Sequence, residues 1–506
     1  MYVEKKWQIN QEKVAFAKQT LETLPFDNGF ARLPDLFYTR LPPTPLPAPY
    51  LVSFNPDAAE LINLDPDEAK RPDFAEYFSG NRLLPGSDPL AMLYSGHQFG
   101  VYVHQLGDGR AILLGEVKNS AGACWEMQLK GAGKTPYSRQ GDGRSVLRST
   151  IREYLCGEAM AGLGIPTTRA LCIVGSDLPV YREKTESAAV LLRLAPSHIR
   201  FGSFQVFYDC NQFDAVKRLA DYVITDHYPE CLASEDRYAS FFTEVVLRTA
   251  RLMAAWQAVG FAHGVMNTDN MSILGLTFDY GPFGFMEQYD PGLICNHSDH
   301  NGLYAFNRQA EVGLWNLSAL AQALTPLISK EKLTFALDQY ELAFDDDYAK
   351  RMAQKMGLKK SMNTDNALIS NLLSLLSVNR VDYTNFFRAL GKIKQAGIDS
   401  NAPVRTMFTN IAAFDAWALQ YQQRLAMEEL SDGERKREMD GVNPKYILRN
   451  HLAQIAIEKA VSTRDYTEID RLRQLLSHPF DEQPEMEQYA APPPDGAKRI
   501  AVSCSS

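Results

Sequence analysis

The chain has 506 residues, 45% of them hydrophobic and 22% charged, with a formal net charge of -9. That length exceeds one small domain and calls for two or more lobes around sizeable cores. The acidic balance and the lack of a long Lys/Arg run argue against broad nucleic-acid binding, and no apolar run is long enough to span a bilayer. Seven cysteines are scattered without a close Cys-x-x-Cys pair, which argues against a zinc ribbon or a disulfide scaffold. The first residues lack an apolar signal core, so the expected location is the cytoplasm.

Residues 1–90 are rich in proline and loop signals. Pro42, Pro43, Pro45 and Pro47 exclude a helix or a central strand there. This stretch is expected to be an N-terminal extension wrapping the fold as an extended arm, or a plain surface connector. Residues 57–63 read as a short capped helix.

From residue 99 the pattern changes. Residues 99–106 alternate imperfectly up to the turn Gly107-Asp108-Gly109-Arg110, and residues 111–117 and 125–130 follow as further strands. Strand, glycine turn and strand make a plausible sheet over a nucleotide. Gly131 to Gly133 and Gly141 to Gly143 flank a polar loop. Residues 145–160 then read as an amphipathic helix with Leu147, Ile151 and Leu155 on one face, stopped by Gly162, Gly164 and Pro166. Residues 169–174 and 188–194 are the next strands of a mixed sheet. Residues 212–260 are mainly helical and deliver the chain to His263. An aromatic and polar loop over 282–311 precedes helical patterns that run from Trp315 to about Pro479, and 481–506 reads as a flexible tail. The expected organisation is α+β: a mixed β nucleotide-binding lobe over 91–205 and a largely helical catalytic lobe over 206–480.

The chemistry concentrates at His263-Gly-Val-Met-Asn-Thr-Asp-Asn270 and Asp279-Tyr280-Gly281. Residues 271–278 read as a short hairpin able to bring Asn270 and Asp279 together. An amide oxygen and a carboxylate are hard ligands suited to Mg²⁺, and Mg²⁺ suits nucleotide phosphates. Asp269 beside that metal could accept a proton from an incoming hydroxyl. Spacing alone equally allows Asp279 both roles, or a structural Asp269. Gly107, Gly109 and Arg110 can meet phosphate, although most such turns are only hairpins. Lys130, at a strand end, can reach phosphates and pair with Glu153 on the following helix; the bland alternative is an exposed bridge from Glu153 to Arg148 or Arg152. A buried strand-end Arg193 needs an anionic partner, which a structural reading would find in Glu158 or Asp177.

The 263–281 stretch resembles a protein-kinase catalytic loop and its metal-binding Asp-Phe-Gly, with Tyr280 for Phe. Aligned on His263 and Asn270, however, Val265 stands where the kinase Asp falls and Asn267 where its Lys falls. That departure, and nearly the whole chain, resembles the SelO (YdiU) proteins, kinase-like enzymes that transfer AMP from ATP to protein hydroxyls. The resemblance implies an atypical kinase-like bilobal fold in which ATP sits flipped, its α-phosphate toward the acceptor. It implies nucleotide contacts from Gly107, Gly109, Arg110, Lys130, Asp142, Gly143, Arg193, Arg200 and Asp279. It implies Mg²⁺ or Mn²⁺ on Asn270 and Asp279, Asp269 as base, Glu153 in support and His263 bracing the loop. It also implies a reversible Cys295–Cys504 disulfide. The partners implied are proteins with Ser, Thr or Tyr acceptors, in redox balance or metabolism, with self-modification as a further outcome; no nucleic acid or membrane is expected. A protein kinase, a UTP-dependent nucleotidyltransferase and an ATP-binding pseudokinase scaffold are the competing readings.

Overall fold

The computed structural model describes residues 18–395, 404–494 and 500. Its organising element is a sheet built from β1 (Tyr38–Arg40), β2 (Tyr50–Phe54), β3 (Leu90–Met92), β6 (Ala111–Lys118), β7 (Cys124–Lys130), β8 (Ser145–Val146), β9 (Arg169–Tyr181) and β10 (Thr185–Ala195). A small separate hairpin holds β4 (Gly96–Gln98) and β5 (Val101–Val103). The large sheet runs β1-β3-β6-β7-β10-β9-β2, with β8 beside β10. Every pairing in it is antiparallel, so the expected mixed sheet is corrected. The tight turns joining β6 to β7 and β9 to β10 impose that sense.

Both faces of the sheet are covered. On β10, Ala188, Val190, Leu192 and Leu194 pack outward with Leu21, Ala58, Phe74 and Phe78 from the N-terminal segment. Ala189 and Leu191 face the opposite way, onto the Leu147–Gly162 helix and the helices that follow. Period-two alternation therefore turns Arg193 inward as well. On β7 the apolar members Met127 and Leu129 go outward, which leaves Glu126, Gln128 and Lys130 on the inner face.

The N-terminal segment does more than wrap. It supplies β1 and β2, the two outermost strands of the sheet. The proline stretch links them and is pinned by its backbone: Thr44 N donates to Ala132 O (2.8 Å), and the Arg144 guanidinium donates to Thr44 O (3.0 Å) and Pro45 O (2.9 Å). The expected helix over 57–63 spans Pro56–Glu60, capped by Asn55.

Beyond the sheet the chain is helical. Arg237–Val259 carries a buried face and ends at Gly260 in the left-handed region (φ +77°). It hands over to β11 (Phe261–Ala262), which pairs with β12 (Gly284–Phe285). Residues 263–283 thus hang between these two paired short strands, directly after the long helix. The Leu147–Gly162 helix packs between the sheet and the Asn450–Thr463 and Thr467–Ser477 helices. A third apolar cluster gathers Met352, Leu372, Phe386, Trp417 and Tyr421 among the later helices. No helix among the described residues is long and apolar enough to cross a membrane.

Three local expectations change. Residues 99–106 do not join the large sheet; Gly100 (φ +78°) turns them into the β4–β5 hairpin. Residues 271–278 do not pair with each other. Ser272 bridges Arg200 and Thr277 bridges Thr167, so the two ends are tied to neighbouring loops. The segment expected to be a free tail from 481 includes a 3-10 turn, Pro484–Ala490, that buries Tyr489 with its hydroxyl 2.5 Å from Glu468 Oε1. Cys504 lies outside the described residues.

Candidate active site

The inner face of β7 and β10 delivers the site's first charges. Gln128 and Arg193 are register partners, as are Lys130 and Leu191. Lys130 Nζ donates to Glu153 Oε2 at 2.6 Å and to Asp279 Oδ1 at 3.0 Å. Arg193 Nη1 lies 2.5 Å from the same Asp279 oxygen and 3.2 Å from Glu153 Oε1. Arg200 Nη1 donates to Asp279 Oδ2 at 2.7 Å. Three cations thus converge on two buried carboxylates. Such a cluster suits a polyanion. The structural alternatives do not hold: Glu158 pairs with Arg169, Asp177 with Arg464, and Glu153 is buried rather than bridged on the surface.

Burial opposes ionisation of Asp279, but Lys130, Arg193 and Arg200 outweigh it and hold the carboxyl well below the usual range. Burial also lowers Lys130, against the pull of Asp279 and Glu153. Arg200 is held flat between aromatic rings, with its guanidinium carbon 4.3 Å from the Tyr94 centroid and 4.6 Å from that of Phe278. Its Nη1 also donates to the Asp269 carbonyl at 2.6 Å, linking the cation cluster to the loop.

The glycine turns form the opposite wall. Thr135 Oγ1 donates to Asp108 O (2.7 Å) and Ser138 Oγ to Gly109 O (2.5 Å), so the polar loop is stitched to the Gly107–Arg110 turn. Gly107 (φ +113°) abuts the Tyr137 ring, where an added Cβ would come within 2.6 Å. Asp142 binds Arg182 through both oxygens, at 2.7 and 2.9 Å, and this pairing keeps its carboxyl below the ordinary value. Arg110 is exposed.

The loop from His263 to Asn270 closes the site from below. His263 does not line the cavity. It is buried, stacked on Trp256 with centroids 5.2 Å apart, and its Nε2 donates to Phe278 O at 3.1 Å. Burial lowers its pKa, and its stacking and hydrogen bond tie the Arg237–Val259 helix to Phe278, just before Asp279. Asn267 Oδ1 accepts from Tyr304 OH (2.6 Å) and Phe99 N (3.2 Å). Asn270 Nδ2 donates to Val265 O at 3.0 Å, which turns its amide oxygen to the other side. Asp269 Oδ2 accepts from Gln98 Nε2 at 3.0 Å, whereas Oδ1 is buried with no hydrogen-bond partner. Burial raises the Asp269 carboxyl to about 6, against the Gln98 hydrogen bond.

These groups border one cavity of about 510 Å³. Its wall includes Gly107, Gly109, Arg110, Lys130, Asp142 and Gly143 from the upper side. Arg193, Arg200, Asp269, Asn270 and Asp279 complete it. Glu153 borders a small adjoining space. Cys295, with Sγ 2.7 Å from Pro282 O, stands apart. Sequence reasoning missed Gln98, Gln128 and Asp108. Arg193 Nη2 donates to Gln128 Oε1, and Gln128 Nε2 donates to Asp108 Oδ2 at 3.1 Å, so a buried relay fixes Arg193 from behind. Gln128 was findable from the polar alternation 126, 128, 130; nothing local marks Gln98.

With the geometry in place, comparison with known proteins is decisive. A family described as "Protein adenylyltransferase SelO" matches residues 20–477. The chain belongs to the SelO family. Similar relatives carry the name "Protein nucleotidyltransferase YdiU". One from Thiobacillus denitrificans is 60% identical over 96% of this chain and 100% of its own length. Others, from Myxococcus xanthus and Thioalkalivibrio sulfidiphilus, are 56% and 54% identical, again over 96% of this chain. The family names are those of protein nucleotidyltransferases. In this SelO-family chain, the only carboxylate between His263 and Asn270 is Asp269. The position where a kinase would carry its Asp is Val265, a buried apolar residue on the cavity wall.

Proposed function

We propose that this chain is a protein adenylyltransferase with a kinase-like bilobal fold, moving AMP from ATP to a Ser, Thr or Tyr hydroxyl of a protein. The observation that carries the reading is the convergence of Lys130, Arg193 and Arg200 on Asp279 within the cavity that Asp269 borders. The acceptor oxygen forms a bond to the α-phosphorus, the bond from that phosphorus to the bridging oxygen breaks, and diphosphate leaves. The hydroxyl proton passes to Asp269, whose Oδ1 has no competing hydrogen bond. Arg193 and Arg200 bind the leaving diphosphate, a role that buried guanidinium groups on the cavity wall suit. In-line attack decides the product, because attack at the γ-phosphorus would phosphorylate instead.

The donor set fits a hard divalent cation, with the carboxylate of Asp279 and the amide oxygen of Asn270 on the same cavity. Among the described residues no group of three His, Cys, Asp or Glu is arranged to hold a metal, so two protein ligands would share Mg²⁺ or Mn²⁺ with the nucleotide's own phosphates. Such an ion supplies charge neutralisation at the reacting phosphate. Asp279 is engaged by Lys130, Arg193 and Arg200, so a cation held there would share its oxygens with those three groups.

ATP labelled at the α or the γ position tests the reading, with the chain itself and casein as acceptors. Retention of the α label alone is expected. The γ label alone would establish a kinase, and metal-dependent binding without transfer a scaffold. Because the relatives' names specify a nucleotidyltransferase without its base, α-labelled UTP with Mn²⁺ belongs in the same assay.

A further inference from the structure

The β4–β5 hairpin lies across the loop that carries Asp269, and its attachment is unusually complete for three residues. His97 N donates to Thr268 Oγ1 at 2.7 Å, the Gln98 side chain donates to Asp269, and Phe99 N donates to Asn267 Oδ1 and, at 3.0 Å, to Tyr304 OH. Three successive hairpin residues thus engage the three loop residues Thr268, Asp269 and Asn267, one each. The approach is close enough that a Cβ on Gly96 would come within 2.7 Å of Thr268 Oγ1 and 3.1 Å of Asp269 N. The hairpin is itself held from outside: Gln205 Nε2 lies 3.0 Å from His97 Nδ1, the His97 ring packs edge-on against Trp315, and the Tyr102 hydroxyl lies 2.5 Å from Ser95 Oγ.

From this we infer that Gln98 is a positioning residue for the transfer step, resting on the base role proposed for Asp269. Its amide fixes Oδ2 at 3.0 Å and so decides which way the carboxylate plane faces. The other oxygen, Oδ1, is then the one without a partner. A carboxylate free to rotate would present either oxygen, and in poor alignment for much of the time. Gln98 itself borders the cavity, and the role inferred for it needs neither proton exchange nor a bond to substrate.

The test is steady-state α-label transfer by the full chain, with ATP affinity measured separately, for wild type, Gln98→Leu, Asp269→Asn and the double variant. Gln98→Leu is expected to lower kcat roughly 10- to 100-fold, the range for misplacing a reacting group by about 1 Å, while KM and Kd for ATP stay unchanged. In the Asp269→Asn background it is expected to lower the residual rate no further, as for residues acting as one unit. Wild-type kcat in Gln98→Leu, a raised KM at unchanged kcat, or the same loss in both backgrounds would overturn the inference. Wild-type transfer by Asp269→Asn would instead remove the base reading on which it rests. If Gln98→Leu does not fold, Gln98→Met keeps the length and approximate volume, lacks the amide donor and is read by the same criteria.

Discussion

Of the four aspartates bordering the cavity, Asp269 and Asp279 are driven in opposite directions by their neighbours, and that divides their chemistry. Asp279 faces Lys130, Arg193 and Arg200 and stays ionised far into acid. Asp269 is buried, receives one neutral hydrogen bond and titrates near 6. Of these two, Asp269 is the one able to exchange a proton near neutral pH, the property wanted of a general base; Asp108, also raised to about 6, is tied to Gln128 and to Met92 N. The sign follows: below about pH 6 Asp269 carries its proton and cannot accept another, so kcat/KM for α-label transfer should rise with pH through about 6 and then level. Asp269→Asn should lower the rate by about 10²- to 10⁴-fold, the usual contribution of a positioned base, and abolish that limb. A pH–rate profile with an unchanged limb in the variant would assign the titration to another group.

Strand alternation and the glycine loops carry one side of the site, and the 263–281 stretch carries the other. Inward-facing Gln128, Lys130 and Arg193 could be read from period two along β7 and β10, because the apolar members of the same strands alternate with them. The Lys130–Glu153 pair was legible from the strand-to-helix order, and the 2.6 Å contact bears it out. The tie between Gln98 and Asp269 was not legible, since 171 residues separate them. Nor was the separation of β4–β5 from the large sheet, because alternation reports that a strand exists and not which strand it pairs with. The close contact of Gly133 and Gly143 lay hidden for a similar reason. Gly143 sits at φ +71°, its carbonyl accepts from Gly133 N at 3.0 Å, and an added Cβ would come within 2.1 Å of Gly133 O. Gly143→Ala should therefore open the wall formed by the two loops. The left-handed backbone alone costs about 1–2 kcal/mol, and the overlap with backbone adds to it. Weaker ATP binding, measured by calorimetry, with a melting temperature only slightly lowered, is the expected result.

At the scale of the whole molecule, the later helices hold an apolar cluster of their own, and beside it lies an ion with no counter-ion among the described residues. Lys355, at the end of the Lys330–Lys355 helix, is 6% exposed among Met352, Tyr383 and Phe387. Its Nζ lies 4.4 Å from the Phe387 centroid and 5.5 Å from that of Tyr383. Ring faces offset part of the desolvation, but burial still pushes the ammonium down from 10.5 to about 7. In the unfolded chain the same lysine stays charged to its ordinary value. Folding is therefore penalised by this residue below about pH 7, where both states are charged and only one is solvated. The penalty fades as pH rises toward 10.5 and vanishes above it, where both are neutral. Lys355→Met keeps the length and the packing while removing the ion. It should raise the melting temperature most at pH 6–7, with the gain over wild type shrinking steadily toward pH 10. Because the other titrating groups are common to both proteins, the difference between the two melting curves isolates Lys355. A gain independent of pH would mean that the methionine packs better and that the lysine is solvated in the native state. Lys355 belongs to the helical core and not to the cavity lining, so α-label transfer at temperatures well below melting should be unaltered in the variant.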